Sequence, residues 1–114
     1  MLSGLSVMSS LSNQERKRLR QIGHALNPVV MLGNHGLSEG VLEEATRALN
    51  DHELIKVKVA GEDREQRALL IASLVEQTGA QVVQQIGKIV LIYKKAEKQN
   101  QHLSNLVRFA HLSN

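Results

Sequence analysis

The strongest constraint in this chain is a change of hydrophobic period between residues 29 and 59. Val29-Val30-Met31-Leu32 is a continuous apolar run stopped by Gly33, the pattern of a short buried strand. Ser38 is placed as an N-cap, and Val41, Leu42, Ala45, Ala48 and Leu49 then recur three and four apart. That spacing predicts an amphipathic helix ending near Asn50. From Glu53 to Val59 the period falls to two, with Ile55, Val57 and Val59 on one side and Lys56 and Lys58 on the other. This is a strand with one buried and one charged face. Strand, helix and strand in this order favour a parallel pair joined by a right-handed crossover.

The remaining elements attach to that unit. Ser12-Asn13-Gln14-Glu15 is a capping box, and Leu19, Ile22 and Leu26 form the apolar stripe of the helix it opens. Pro28 forbids continuation of that helix. Gly61-Glu62-Asp63 breaks the chain after the second strand, and Asp63 caps a third helix. Its buried stripe is expected at Ala68, Ile71, Ala72 and Val75, widened by Leu70 and Leu74, with Gly79 as the stop. Ala80 to Ile86 reads as a strand, Gly87-Lys88 as a type II′ turn, and Ile89 to Tyr93 as the most apolar strand, hence a central one. The class is therefore α+β, an N-terminal helix followed by β-α-β-α-β-β. The expected architecture is a four-stranded mixed sheet with the second and third helices on one face and the first helix over part of the other.

The 114 residues suffice for one domain. Residues 1–10 are Ser-rich and aperiodic and are expected to be disordered, with Met8 as an alternative start; residues 11–96 carry the pattern. Residues 97–114 form a polar tail, in which Leu103, Leu106, Val107 and Ala110 have the spacing of a short helix. The absence of Cys fits a cytoplasmic protein. No apolar run approaches the roughly 20 residues of a membrane span. His24, His35, His52, His102 and His111 lack metal-ligand spacing, Glu43 and Glu44 point apart on a helix, and no phosphate-loop or dinucleotide fingerprint occurs. The expectation is a monomer with no cofactor, no small-molecule substrate and no catalytic activity.

The net charge of +3 is unevenly spread. Arg16, Lys17, Arg18 and Arg20 precede an acidic helix holding Glu39, Glu43, Glu44 and Asp51, and Lys56, Lys58 and Lys88 follow it. A basic surface suits nucleic acid, though scattered solvation charge gives the same count. Gly33-Asn34-His35-Gly36 fits a plain strand-to-helix turn equally well as a loop that lets an RNA backbone approach. Stacking of bases on sheet aromatics is excluded, because Tyr93 and Phe109 are the only aromatic residues.

Three blocks taken in order, HALNPVVMLGNHGLSEGVLEE, HELIKVKVAGEDRE and GKIVLIYKK, resemble the CRM domain, named for chloroplast RNA splicing and ribosome maturation, and within it the stand-alone bacterial YhbY type. The resemblance spans about residues 11–95 and carries nothing to either end. It implies a fold similar to the C-terminal domain of translation initiation factor 3. It also implies an RNA-binding protein acting on rRNA of the large ribosomal subunit precursor as an assembly factor. The family's loop falls on Gly33, Asn34, His35 and Gly36. Phosphate contacts are then expected from Arg16, Lys17, Arg18, Arg20, Lys56, Lys58 and Lys88. The alternative is a protein adaptor docking on a ribosomal protein through the acidic helix 39–51.

Overall fold

Ser12 opens the first helix as its sequence requires. Its Oγ accepts from the Glu15 N–H and its own N–H donates to Glu15 Oε1, both at 3.0 Å. Helix α1 runs Asn13–Gly23 in the structure, a computed structural model that describes residues 11–33 and 35–112. The expectation of disorder for residues 1–10 falls outside the described residues, as does Asn34. Strand β1 is Pro28–Leu32; its proline is tolerated because it begins an edge strand. Helix α2 is Glu39–His52, capped by Ser38, and β2 is Leu54–Val59. Asp63 accepts from the Gln66 N–H at 2.7 Å and starts α3, Arg64–Thr78. Gly79 ends it at φ 80°, in the left-handed region where glycine has no Cβ penalty. Strands β3, Gln81–Ile86, and β4, Ile89–Tyr93, flank Gly87 at φ 59°. Lys88 has no positive φ, which fits the type II′ turn expected.

The sheet order is β1-β2-β4-β3, with β1 parallel to β2 and the other pairs antiparallel. β4 is central, as its composition requires. Helices α2 and α3 cover one face, where Ala45, Leu49, Ile71 and Leu74 meet Leu32, Ile55, Val57, Val90 and Ile92. Burying such side chains supplies roughly 1.5–3 kcal/mol each, which makes this face the main source of stability. On the opposite face, Leu19 and Ile22 of α1 pack on Leu54, Val83 and Leu91. The approach is close: a Cβ on Gly23 would lie 2.7 Å from Leu91 Cδ2.

The α3 stripe follows expectation at Leu70, Ile71, Leu74 and Val75 and departs from it at Ala68 and Ala72. Ala68 and Ala72 are exposed, while Ile71, Leu74 and Thr78 are buried with Arg67, Leu70 and Val75 half-buried. At about 100° per residue, Ala68 and Ala72 fall at one edge of the stripe that Ile71, Leu74 and Thr78 centre. Thr78 is accommodated because its hydroxyl donates to Leu74 O at 2.8 Å.

The segment after β4 folds back as α4, Asn105–Arg108, and a 3₁₀ turn, Ala110–Leu112. Leu106 and Phe109 join the cluster under α1. Glu53, 1% exposed and at φ 64°, anchors this return. Its carboxylate accepts from Ala96 N–H, Gln99 Nε2 and Ser104 Oγ at 2.7–2.8 Å, and Asn105 Nδ2 donates to Leu54 O.

Candidate nucleic-acid interface

Three connections meet at one end of the sheet. β1 and β2 run parallel and finish together, where Ala60 N–H donates to Leu32 O. The β3–β4 turn joins them through Val59 N–H, which donates to Lys88 O at 2.7 Å. The glycine loop leaves β1 at this end. Gly36 N–H donates to Gly33 O at 3.1 Å, closing a four-residue turn, and Gly36 sits at φ 85°. That φ is the reason for glycine at 36; a Cβ there would touch Leu70 only at an ordinary 3.8 Å. Gly33 is different, since nothing lies within 4 Å of a Cβ built on it. Its space is open to an approaching chain rather than filled by the fold. His35 is exposed in the same turn.

The α2 N-terminus follows directly, with Ser38 Oγ accepting from Val41 N–H at 3.2 Å. The exposed Glu39 carboxylate sits in its first turn. A phosphate there would meet a competing negative charge, so the loop is a better contact than the helix dipole.

The candidate cations divide by position. Lys58 and Lys88 are exposed at the loop end of the sheet. Lys56, two residues back on the same strand face, turns inward: its Nζ donates to Leu26 O at 3.1 Å, holding the chain that leaves α1. Arg16 is likewise engaged. A β-bulge between Val82 and Gln84 interrupts the β3–β4 register, and the Arg16 guanidinium donates to Val82 O at 3.0 Å and Val83 O at 3.1 Å. Arg18 is half-buried beside Tyr93. Burial pushes the Tyr93 phenol up, Glu53 and Glu15 push it further, and the Arg18 charge opposes them. Lys17 is exposed and Arg20 half-buried. Arg16 reaches β3, three strands from β1, or about 14 Å across the sheet. Arg16 therefore lies away from the glycine loop.

The sequence reading missed several residues. Met31 and Ile86 are 60% and 65% exposed on the sheet; their hydrophobicity signalled burial. Arg67 donates to Gly61 O at 3.1 Å and braces the neighbouring loop. The polar tail contains the buried Ser104 and Asn105, for which no local pattern gives a signal. Among the described residues no group of three His, Cys, Asp or Glu could hold a metal ion, and no helix is long and apolar enough to cross a membrane.

The CRS1 / YhbY (CRM) domain matches residues 11–94. A probable RNA-binding protein of Pseudomonas aeruginosa is 48% identical over 101 residues, covering 89% of this chain and 97% of that protein. An RNA-binding protein of Haemophilus influenzae is 53% identical over 91 residues, 80% of this chain and 92% of its own length. The solution structure of a hypothetical Staphylococcus aureus protein superposes with a TM-score of 0.69 at 28% identity, over 82% of this chain and 97% of that one.

Proposed function

We propose that this chain, which belongs to the CRS1 / YhbY (CRM) domain family, is an RNA-binding protein of the cytoplasm. It holds an rRNA element of the large ribosomal subunit precursor during assembly, without catalysing a reaction. The observation that supports this most directly is the glycine-framed turn at Gly33 to Gly36, open at Gly33, with the exposed Lys58 and Lys88 at the same end of the sheet. Backbone without side chains lets a sugar-phosphate chain approach, and the lysines neutralise it. The matched relatives named for RNA binding point the same way.

The test is crosslinking of protein to RNA in cells followed by sequencing, paired with sucrose-gradient sedimentation. Large-subunit precursor rRNA should be enriched, and the protein should co-sediment with that particle. Recovery of no rRNA above background, with all the protein in the free fraction, would refute the proposal. The same gradients address the adaptor reading, for which α2 exposes Glu39, Glu43 and Glu44. An adaptor would stay particle-bound after RNase and detach on charge reversal at Glu43 and Glu44.

A further inference from the structure

One row of side chains crosses the whole sheet at its loop end. Register places Met31 opposite Lys58, Lys58 opposite Ile89, and Ile89 opposite Ile86. Residues directly opposite share a face, here the α1 face. The next row inward, at Leu91, is the one on which Gly23 packs as α1 ends. Beyond that helix end the row stands open, with Met31 60% and Ile86 65% exposed. Between the helix end and the row lies a cleft of about 220 Å³. Leu91 and Ile89 line it together with the Gln84 amide, the His24 imidazole and Lys56, whose ammonium donates to Leu26 O.

We infer that this row and cleft receive unpaired nucleobases of the RNA whose backbone passes over the glycine loop, an inference that rests on the RNA-binding reading above. Three observations select nucleobases over an apolar protein segment. A lysine stands in the middle of the apolar row, whereas charged residues are depleted from the cores of protein interfaces. A nucleotide matches that mixture, with an apolar base face and an anionic phosphate a few ångströms away. The row is also continuous with the loop: Met31 lies two residues before Gly33, and Lys88 follows Ile86 across the β3–β4 turn. Finally, Gln84 and His24 bring both donors and acceptors to a cleft that Leu91 and Ile89 also line, which is what reading a base edge requires. Aliphatic side chains pack against a base face by dispersion and area burial, so this platform needs no aromatic residue. A base in duplex presents no free face, so the preference is for single-stranded segments.

The test is anisotropy titration of single-stranded and fully paired RNA with wild type, Met31→Ser/Ile86→Ser and Gly33→Asp, each at two salt concentrations. The double variant changes exposed positions and should melt like wild type. Its affinity for single-stranded RNA should fall roughly fivefold or more, with an unchanged salt dependence, because bases and not phosphates lose their contacts. Affinity for paired RNA should not change, and ultraviolet crosslinks in wild type should map to the peptides holding Met31 and Ile86. Unchanged single-stranded affinity in the double variant, with Gly33→Asp impaired, overturns the base platform and leaves the RNA-binding reading standing. No RNA binding by wild type overturns both. Self-association of wild type that the double variant abolishes while RNA affinity is unchanged assigns the row to a second copy and also overturns the inference.

Discussion

The Ser104 hydroxyl donates to Glu53 Oε1 at 2.7 Å, joining side chains 51 positions apart that are 0% and 1% exposed. A buried carboxylate is costly unless its lone pairs are filled, and here Ala96 N–H and Gln99 Nε2 supply the rest. Burial pushes the Glu53 carboxyl up, but the hydrogen bonds from Ala96, Gln99 and Ser104, with the charge of Lys95, outweigh it and hold the carboxyl below its ordinary value.

Glu53→Ala should therefore lose about 2–4 kcal/mol at neutral pH, since it strands buried donors. Glu53→Gln, which keeps an acceptor, should lose less. The folded carboxyl titrates below the unfolded one. Its contribution is complete above the unfolded carboxylate range and disappears as pH falls through the folded value. Urea midpoints of wild type and Glu53→Gln should converge as pH is lowered through that range; a constant gap would contradict the assignment.

Arg16 and Lys58 should separate stability from binding. Arg16→Ala removes the donor to Val82 O and Val83 O and should lower stability by about 1–2 kcal/mol. Lys58→Gln, at an exposed position, should stay within about 0.5 kcal/mol of wild type. It should weaken RNA binding and reduce the salt slope by about one. Thermal melts and salt-titrated anisotropy on both variants decide this.

The two loop glycines should behave differently. Gly36→Ala forces a Cβ onto φ 85° and should cost roughly 1–2 kcal/mol. Gly33→Asp meets open space, so its melting should be nearly unchanged, while its carboxylate repels phosphate and lowers RNA affinity about tenfold or more. Full RNA affinity in a folded Gly33→Asp protein would return the loop to a plain turn.

Gly23→Ala places a Cβ 2.7 Å from Leu91 Cδ2 in a packed interface. Overpacking of this kind costs typically 1–3 kcal/mol, and chemical denaturation should show a lower midpoint.

The fold was legible because its signals were local. Capping residues Ser12, Ser38 and Asp63, the stop at Gly79 and the alternation through β2 each name an element, and β4 declares its central place by being apolar throughout. The buried side of α3 was legible at Leu70, Ile71, Leu74 and Val75, but its edges were not, because Ala68 and Ala72 are exposed while Thr78 is buried. Of the candidate site, Gly33 and Gly36 frame the turn after β1, and Lys58 and Lys88 lie at that end of the sheet. Arg16 and Lys56 could not be told from exposed cations in sequence, since their carbonyl partners are created by the packing of α1. The role of Glu53 was equally hidden, because its partners lie 43 to 51 residues away.

The return of residues 96–112 has a consequence for heredity as well as for stability. The family model ends at residue 94, yet two of the donors that satisfy Glu53 and the Asn105 amide that binds Leu54 O come from side chains beyond it. The domain that the family model describes is thus smaller than the set of residues that completes the Glu53 site. A gene cut at residue 94 would encode every strand of the sheet and still deliver a buried carboxylate stripped of its counterparts. A swap of this segment between relatives succeeds only where position 53 and its distant donors travel as a set.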